Sequence, residues 1–350
     1  MAENASRRAR VERLLEAART LANPTGSEGE ALRRHLLETT GLSAPVIDLG
    51  IARCLETHPT EAELEALLAS TPSSPRALVL LSGNVFVASL RAITLGVASS
   101  PRVVVRASRR DPALAKALHA LAPDSFDLAA ELSPQPDDHY WAYGSDETLD
   151  TVRRSLPPGV WFHPHGAGIG AVVVDPHALD DVVTRSISLD TALFDQRGCL
   201  SPRVVCVVGT AEQAKTCAAA LAQALTALER ELPMGPRSPE EAAEQRRAHD
   251  TAAYAFDLFE AGSGYVSVSS TLVVPSPRRN LHVCATPDPV AALAVLAKHL
   301  TCIASNTKAL RTQLGAAFPG ARSVAPGEMQ RPPLDGPVDR RHGTRGDLVT

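Results

Sequence analysis

Residues 77–105 read ALVLLSGNVFVASLRAITLGVASSPRVVV, and this stretch decides the class of fold. It begins with five consecutive apolar residues, which is typical of a strand buried on both faces of a sheet. A helical pattern with Leu90, Ile93 and Leu95 follows, and a second apolar strand at 103–105 ends the stretch. A strand, a helix and another strand in this order predict a parallel sheet and therefore an α/β protein.

The alternation of strand and helix continues along most of the chain. A doubly wound sheet would be completed by helices at 112–121 and 146–155 and by strands at 126–130, 140–143, 160–162 and 171–174. After Asp175 a second α/β unit is expected, with helices at 178–192, 211–232 and 289–300 and strands at 204–208, 266–274 and 281–284.

These patterns divide the chain into four predicted segments. Residues 1–75 are expected to form a helical N-terminal lead that packs on the first α/β domain. Residues 76–175 are predicted as this first domain, and residues 176–320 as a second α/β domain. Residues 321–350 are rich in Arg and Pro and are expected to form a surface tail or arm.

Composition excludes several classes of protein. The 350 residues include 35 Lys and Arg against 39 Asp and Glu, so we expect no nucleic-acid partner. No apolar run approaches the roughly 18 residues of a membrane span, and no apolar signal region follows the N-terminus. We therefore expect a cytoplasmic chain without a membrane span. The six cysteines form no CxxC pair, and they are too few in a chain of this size for a disulfide scaffold.

Cys199 is the first candidate for chemistry. It lies in Gly198-Cys199-Leu200-Ser201-Pro202, a predicted tight turn between a helix and a buried strand. Such a turn can expose a thiol and direct backbone N–H groups towards it, which lowers the thiol pKa and supplies oxyanion donors. The alternative is an inert, buried cysteine.

Three polar loops follow predicted strands of the first sheet, at the edge where α/β enzymes place their sites. Asn84 follows the first strand and precedes a helix, where an Asn is also a common helix N-cap. The basic loop 106–110 suits a nucleotide ribose and phosphate, or is a solvated surface loop. Gly144 and Ser145 form a turn into a helix whose N–H groups suit a phosphate.

The order of these motifs resembles the aldehyde dehydrogenase superfamily. The stretch FDQRGCLSP at 194–202 is most similar to its acyl-CoA reductase branch, which includes the fatty-acid reductase component of bacterial luminescence. The tail GEMQRPPLD at 327–335 is also similar to that branch. The resemblance extends from about residue 42 to about residue 339 and implies an aldehyde-dehydrogenase-like fold. It implies that residues 76–175 form the nucleotide-binding domain, on which the lead packs, and that residues 176–320 form the catalytic, thioester-forming domain.

The resemblance also implies roles for individual residues. Cys199 matches the nucleophile that forms a thioester with the acyl group, and the Asn84 amide matches the group that holds the oxyanion together with the Cys199 N–H. Arg106 stands in place of the lysine that usually contacts the adenosine ribose. Gly144 and Ser145 match the turn that receives the pyrophosphate.

The same basic loop predicts the choice of cofactor. In the resembling family an acidic residue three positions beyond the lysine favours NAD, and Arg109 stands there in this chain. A 2′-phosphate would meet the Arg109 guanidinium and the Ser108 hydroxyl instead of a carboxylate. We therefore expect NADPH as the cofactor.

One departure from the family concerns the residue that activates water. Where oxidising members carry a catalytic Glu, this chain reads His163-Pro164-His165-Gly166, with His165 thirty-four residues before Cys199. Without that Glu, hydrolysis of an acyl-enzyme should be slow and reduction preferred. An imidazole with the ordinary pKa near ~6.5 would allow His165 to donate a proton.

The sequence therefore predicts an NADPH-dependent reduction of an acyl thioester, such as acyl-CoA, to an aldehyde through Cys199, in a homodimer. A first alternative is a metal-dependent hydrolase, because alternate strand residues His163 and His165 face the same side. A second is a non-catalytic binding relative on the same fold, which the short chain favours and the presence of Cys199 and Asn84 opposes.

Overall fold

The computed structural model describes residues 2–342 and 346–350. Met1 and residues 343–345, which fall within the predicted lead and tail, lie outside the described residues. The α-helices are α1 Ala2–Ala22, α2 Ser27–Thr40, α3 Ala44–Cys54, α4 Glu61–Ser70, α5 Ala88–Ser99, α6 Ala113–Leu121, α7 Asp146–Ser155, α8 Asp181–Ala192, α9 Ala211–Glu229, α10 Pro239–Ala255, α11 Pro289–Ala294 and α12 Lys308–Ala317. The strands are β1 Ala77–Leu80, β2 Val103–Arg106, β3 Asp127–Leu128, β4 His139–Tyr143, β5 Trp161–His165, β6 Ile169–Val174, β7 Pro202–Val208, β8 Asp257–Ala261, β9 Gly264–Ser269, β10 Leu281–Thr286, β11 Leu300–Ser305, β12 Arg322–Val324 and β13 Asp347–Leu348.

Two compact units divide the chain. The first unit comprises residues 1–40, 47–167 and 333–350, and it contains a six-stranded sheet in the order β13-β5-β4-β1-β2-β3. The second unit comprises residues 41–46 and 168–332, and it contains a seven-stranded sheet in the order β12-β11-β6-β7-β10-β9-β8. Each sheet is parallel except for one antiparallel edge strand, β13 or β8. The predicted α/β class, with a doubly wound first sheet and a second α/β unit, is confirmed.

The first sheet changes direction between β1 and β4. From β1 the chain winds to one side through β2 and β3 and to the other through β4 and β5. Ligands of open α/β sheets bind outside the carboxyl ends of the strands at such a switch point. The loops after β1, β2 and β4 therefore lie at the edge where a nucleotide site is expected.

Helix α5 is buried along its length because it lies between the first sheet and the N-terminal helices. Every residue from Ser89 to Ser99 is buried. On one side, a Cβ added at Gly96 would lie 2.9 Å from Val79 Cγ2, so the missing side chain allows helix and sheet to approach. On the other side, Arg7 of α1 donates from Nε to the Ala98 carbonyl oxygen (2.7 Å). The helical lead thus covers one face of this sheet.

The second sheet is held by aliphatic side chains of its central strands. Ala171 and Val173 of β6, Val204 of β7 and Ile303 of β11 belong to one buried cluster. Near-continuous apolar strands are typical of parallel sheets covered on both faces. Among the described residues, no helix is both long and apolar enough to cross a membrane.

Several elements differ from the sequence-based expectation. The helix after β1 begins at Ala88 rather than directly after Leu81. The helix predicted at 289–300 ends at Ala294, and the predicted strand at 266–274 ends at Ser269. Helices α10 and α12 and strands β8 and β11 were not predicted. In α10 only Gln245 and Ala252 are buried, so no apolar stripe marks this helix.

The C-terminal segment 321–350 is not the expected surface arm. Its strand β12 pairs with β11, and β13 pairs with β5. Met329 and Leu334 are each 1% exposed. The prediction of an exposed arm followed the abundance of Arg and Pro in this segment, although a few apolar residues such as Met329 and Leu334 bury it.

A ladder of rings lines one face of the first sheet. Alternate residues of β4 and β5 face the same side, and their cross-strand pairs are His139 with Trp161, Trp141 with His163, and Tyr143 with His165. The Trp141 and His163 rings stack at 3.8 Å between centroids. A hydrogen bond of 2.9 Å joins His139 Nδ1 and His163 Nε2. Burial lowers the pKa of His163 to about 2 and that of His139 to about 4.

These imidazoles make the fold sensitive to acid. Between about pH 6.5 and pH 4 the unfolded chain takes up protons that the folded chain does not, so the free energy of unfolding falls as the pH falls. We expect His163→Gln to reduce this slope by roughly 1 kcal/mol per pH unit, as measured by urea unfolding across that range. His177→Gln, at an exposed position, is the control and should keep the wild-type slope. Identical slopes for both variants would contradict the assignment.

A second test concerns the contact between α5 and the first sheet. Gly96→Ala places a Cβ 2.9 Å from Val79 Cγ2 and 3.1 Å from Val103 Cγ1. Overpacking of this kind costs about 1–3 kcal/mol, and the higher helix propensity of Ala returns only about 1. We expect a net loss of about 1 kcal/mol in urea unfolding. In the control Gly315→Ala the nearest atom lies at 3.4 Å, so that variant should be neutral or stabilised.

Candidate active site

The loop after β1 presents Asn84 to solvent. Helix α5 has Val87 as its N-cap, so Asn84 does not cap this helix, which removes that alternative for its role. A Cβ added at the neighbouring Gly83 would lie 2.5 Å from Ser108 Oγ. The missing side chain therefore allows the loop after β1 to contact the loop after β2.

The end of β2 and the loop after it carry the three residues predicted to bind the adenosine end of the cofactor, namely Arg106, Ser108 and Arg109. Arg106 is the last residue of β2, and its carbonyl oxygen accepts a hydrogen bond from Leu81 N (3.0 Å). Ser108 Oγ accepts from Arg110 N (3.2 Å), which tightens the turn. Arg109 and Arg110 are exposed.

The nearby carboxylate Asp111 does not neutralise these arginines. Its Oδ1 accepts hydrogen bonds from Ala113 N (3.4 Å) and from Thr39 Oγ1 (3.3 Å). Burial raises the pKa of Asp111. Within residues 2–342 and 346–350, Arg109 forms no ion pair, so its charge faces solvent at the sheet edge.

The loop after β4 leads into α7 through Gly144 and Ser145. Ser145 is the N-cap, and its Oγ accepts from Thr148 N (3.2 Å). A Cβ at Gly144 would lie 3.2 Å from the Thr148 side chain. Asp146 in the first turn accepts from Ala167 N (3.0 Å). The remaining N–H groups and the helix dipole make this end of α7 suited to an anion.

His165 ends β5 at the same edge of the sheet. Its ring stacks on Tyr143 at 4.5 Å, and Gly144 N donates to its carbonyl oxygen (3.2 Å). Its Nε2 is buried and has no hydrogen-bond partner among the described residues. Burial lowers the pKa of His165 to about 4, although the charge of Asp339 opposes this shift. The expected pKa near 6.5 is therefore wrong, and His165 is a neutral imidazole at pH 7.

The structure offers little support for a metal site at His163 and His165. His163 Nε2 is already hydrogen-bonded to His139, and its ring is stacked on Trp141. In the described part of the chain, no group of three His, Cys, Asp or Glu residues is placed to hold a metal ion. The hydrolase alternative therefore lacks the third ligand that such sites use.

Cys199 belongs to the second unit and lies in a tight turn at the amino end of β7. Ser201 N donates to the Gly198 carbonyl oxygen (3.2 Å), which closes the turn. Thr301 Oγ1 donates to the Cys199 carbonyl oxygen (2.5 Å). Cys199 is partly exposed, whereas the other cysteines are buried, namely Cys54, Cys206, Cys217, Cys284 and Cys302.

Gly168, just before β6, and Gly170, within it, allow this strand to approach the turn. A Cβ at Gly168 would lie 3.2 Å from Cys199 Cβ and 2.3 Å from Thr301 Cγ2. A Cβ at Gly170 would lie 2.4 Å from the Leu200 carbonyl oxygen. The glycines at 168 and 170 are thus explained by close packing against the cysteine turn.

The backbone that leads into the turn is left-handed over three consecutive residues. Phe194, Asp195 and Gln196 have φ values of 53°, 52° and 60°. For residues with a Cβ this conformation costs roughly 1–2 kcal/mol each, so neighbouring groups must stabilise it.

Buried polar contacts supply that stabilisation. Arg279 Nη2 donates to Asp195 Oδ1 (2.7 Å), and Arg279 is 1% exposed. Gln196 Nε2 donates to the carbonyl oxygens of Pro202 and Asn280 (both 2.7 Å), and Gln196 Oε1 accepts from Asn280 N (3.0 Å). Sequence reasoning missed Arg279 because it lies 84 residues after Asp195 and no motif links the two.

Seven of the eight predicted site residues thus lie in the first unit, in loops or at strand ends on one edge of its sheet, namely Asn84, Arg106, Ser108, Arg109, Gly144, Ser145 and His165. The eighth, Cys199, lies in the second unit. Two separate constellations therefore exist, one suited to a nucleotide and one presenting a thiol.

Comparison with solved structures shows the fold. The chain superposes on an NAD-dependent benzaldehyde dehydrogenase from Corynebacterium glutamicum with a TM-score of 0.68 and 13% identity, covering 93% of this chain and 83% of that one. An aldehyde dehydrogenase from Brucella melitensis biovar abortus 2308 gives a TM-score of 0.67 and 14% identity over 93% and 80% of the chains. An NAD-dependent aldehyde dehydrogenase from Sinorhizobium meliloti gives 0.67 and 14% over 91% and 74%.

Comparison of sequences shows the family. No curated protein matches the chain. The family model described as acyl-CoA reductase (LuxC) matches residues 123–331, which is more than half of the 350 residues. With the aldehyde dehydrogenase fold of its structural neighbours, this match shows that the chain belongs to the LuxC family of acyl-CoA reductases.

Proposed function

We propose that this chain reduces an acyl thioester, with acyl-CoA as the substrate class, to an aldehyde through a thioester on Cys199, with NADPH as reductant. The observation that carries the proposal is the partial exposure of residue Cys199 in a turn held by Thr301 and by the left-handed segment before it. The other cysteines are buried and unsuited to attack on a substrate. Membership of the acyl-CoA reductase family supports the substrate class.

The proposed reaction consists of acyl transfer to Cys199, reduction of the acyl-enzyme by hydride, and release of the aldehyde. The Cys199 thiolate attacks the thioester carbonyl, the bond to coenzyme A breaks, and coenzyme A leaves as a thiolate. NADPH held by the first unit would supply the hydride that reduces the carbonyl carbon of the acyl-enzyme. The carbon–sulfur bond to Cys199 then breaks, which releases the aldehyde and returns the thiolate. We assign Asn84 and the Cys199 N–H to the oxyanion in these steps.

The basicity of His165 favours reduction over hydrolysis. Hydrolysis of the acyl-enzyme needs a general base that removes a proton from water. Because burial lowers the pKa of His165 to about 4, its imidazole is a weak base.

The first unit fits a nicotinamide dinucleotide at its switch point. We assign the ribose to Arg106, the 2′-phosphate to Ser108 and Arg109, and the pyrophosphate to the turn of Gly144 and Ser145. The exposed guanidinium of Arg109, which forms no ion pair with the described residues, and the small residues at positions 83 and 144 support this assignment. Neighbours described as NAD-dependent dehydrogenases support a nicotinamide cofactor. The first unit would then bind the cofactor and the second would form the thioester.

The covalent step has a direct test. With an acyl-CoA panel and no NADPH, we expect mass spectrometry to find one acyl group per chain, on the peptide that contains Cys199. Cys199→Ala should abolish both the adduct and NADPH oxidation while cofactor binding, followed by fluorescence, stays normal. Cys217→Ala, which alters a buried cysteine of α9, is the control and should keep both activities. Normal turnover in Cys199→Ala would refute the covalent route.

The choice of cofactor is tested by kcat/KM for NADPH and NADH. One charge-assisted contact to the 2′-phosphate predicts an about 10- to 100-fold preference for NADPH in the wild type. Arg109→Glu should remove most of this preference, chiefly by weakening NADPH. Arg110→Glu is a control at an adjacent exposed position and should have a smaller effect. Equal use of both cofactors by the wild type would show that this loop does not read the phosphate.

A further inference from the structure

The C-terminal segment 327–330, Gly-Glu-Met-Gln, contacts the cysteine turn through Gln330. Gln330 Nε2 donates one hydrogen bond to Ser201 Oγ (2.9 Å) and one to the Asp190 carbonyl oxygen (3.1 Å). Gln330, Ser201 and Asp190 are buried. One amide group therefore uses both of its hydrogens to tie the turn to helix α8.

Asp190 holds this segment in place from the other side. Its Oδ2 accepts from Gly327 N (2.6 Å), and its Oδ1 accepts from Met329 N (3.2 Å). Gly327 has φ +88°, a conformation that favours glycine, and it allows the chain to turn around the carboxylate. The backbone of segment 327–330 is thus bound to α8 at Gly327 and Met329, and these contacts fix the backbone position of Gln330.

Ser201 is linked to Cys199 because both belong to the same short hydrogen-bonded turn. Ser201 N donates to the Gly198 carbonyl oxygen (3.2 Å), and Gly170 N donates to the Ser201 carbonyl oxygen (2.9 Å). The methyl group of Met329 packs where a side chain at Gly170 would stand, since a Cβ there would lie 2.6 Å from Met329 Cε. Ser201 is therefore held by its N–H, its carbonyl and its hydroxyl, and only the hydroxyl contact depends on Gln330.

We propose that Gln330 is a positioning residue that sets the orientation of the Cys199 turn through Ser201. This inference rests on the proposed function for its effect on turnover. Because Gln330 Nε2 donates to two buried acceptors, its own position is fixed, and it restricts the rotamer of Ser201. An error of about 1 Å in the position of a reacting group is sufficient to lower a rate by about 100-fold. Sequence reasoning noted the GEMQ stretch only as part of the family resemblance.

The test replaces Gln330 without removing its volume. Gln330→Met keeps the length of the side chain and removes both donated hydrogens. We expect kcat to fall by about 10- to 100-fold, while KM for acyl-CoA changes less than about twofold. Hydrogen exchange of the peptide covering residues 197–204 should become faster, and exchange elsewhere should not. Gln313→Ala, which alters an exposed glutamine of α12, is the control and should match the wild type.

A double-mutant cycle with Ser201→Ala identifies the contact itself. If the two side chains act as one unit, the combined variant should lose less than the product of the two single losses. Multiplicative losses, wild-type kcat in Gln330→Met, or faster exchange throughout the second unit without a local effect would each overturn the proposal. Absence of turnover in the wild type would refute the proposed function, whereas the exchange data would still decide whether Gln330 holds the turn.

Discussion

The buried ion pair between Arg279 and Asp195 is the interaction on which the cysteine turn depends. Three consecutive left-handed residues are unfavourable for a chain with side chains, and they persist only where the surroundings determine them. Arg279 fixes the middle residue of the three, and Gln196 fixes the last by three hydrogen bonds to backbone. Both partners belong to a larger network, since Arg279 Nη1 also pairs with Glu229 Oε2 (2.8 Å) and Asp195 Oδ2 with Arg197 Nη2 (3.6 Å). The unfavourable backbone conformation of residues 194–196 is therefore offset by polar contacts with residues that are remote in the sequence.

In each sheet the candidate site residues lie at one end of the strands. The first sheet places its polar loops at the carboxyl ends of β1, β2 and β4, as the topology of doubly wound sheets requires. In the second sheet the thiol lies at the amino end of β7, beside the start of β6 and of β11. Glycines at 168 and 170 permit this packing, because any side chain there would collide with the turn.

Burial of the ring ladder determines the chemistry available at His165. A histidine at the end of an exposed strand would titrate near neutrality, but stacking between β4 and β5 withdraws these imidazoles from water. Their neutral state disfavours both proton donation and activation of water. The same burial makes the fold acid-sensitive, so the pH dependence of stability and the protonation state of His165 have a common physical origin.

The sequence by itself determined the alternation of strand and helix, and with it the α/β class, because apolar runs and helical periods are local patterns. It also identified the polar loops after β1, β2 and β4, since strand ends and turns can be read from neighbouring residues. It did not determine that Asn84 is not the N-cap of α5, or that His165 is neutral. Nor did it determine that strands of the C-terminal segment, β12 and β13, pair with strands of the two sheets. Those features, together with the contacts of Arg279 with Asp195 and of Gln330 with Ser201, were decided by the tertiary structure, because they depend on burial and on pairs of residues more than 80 positions apart.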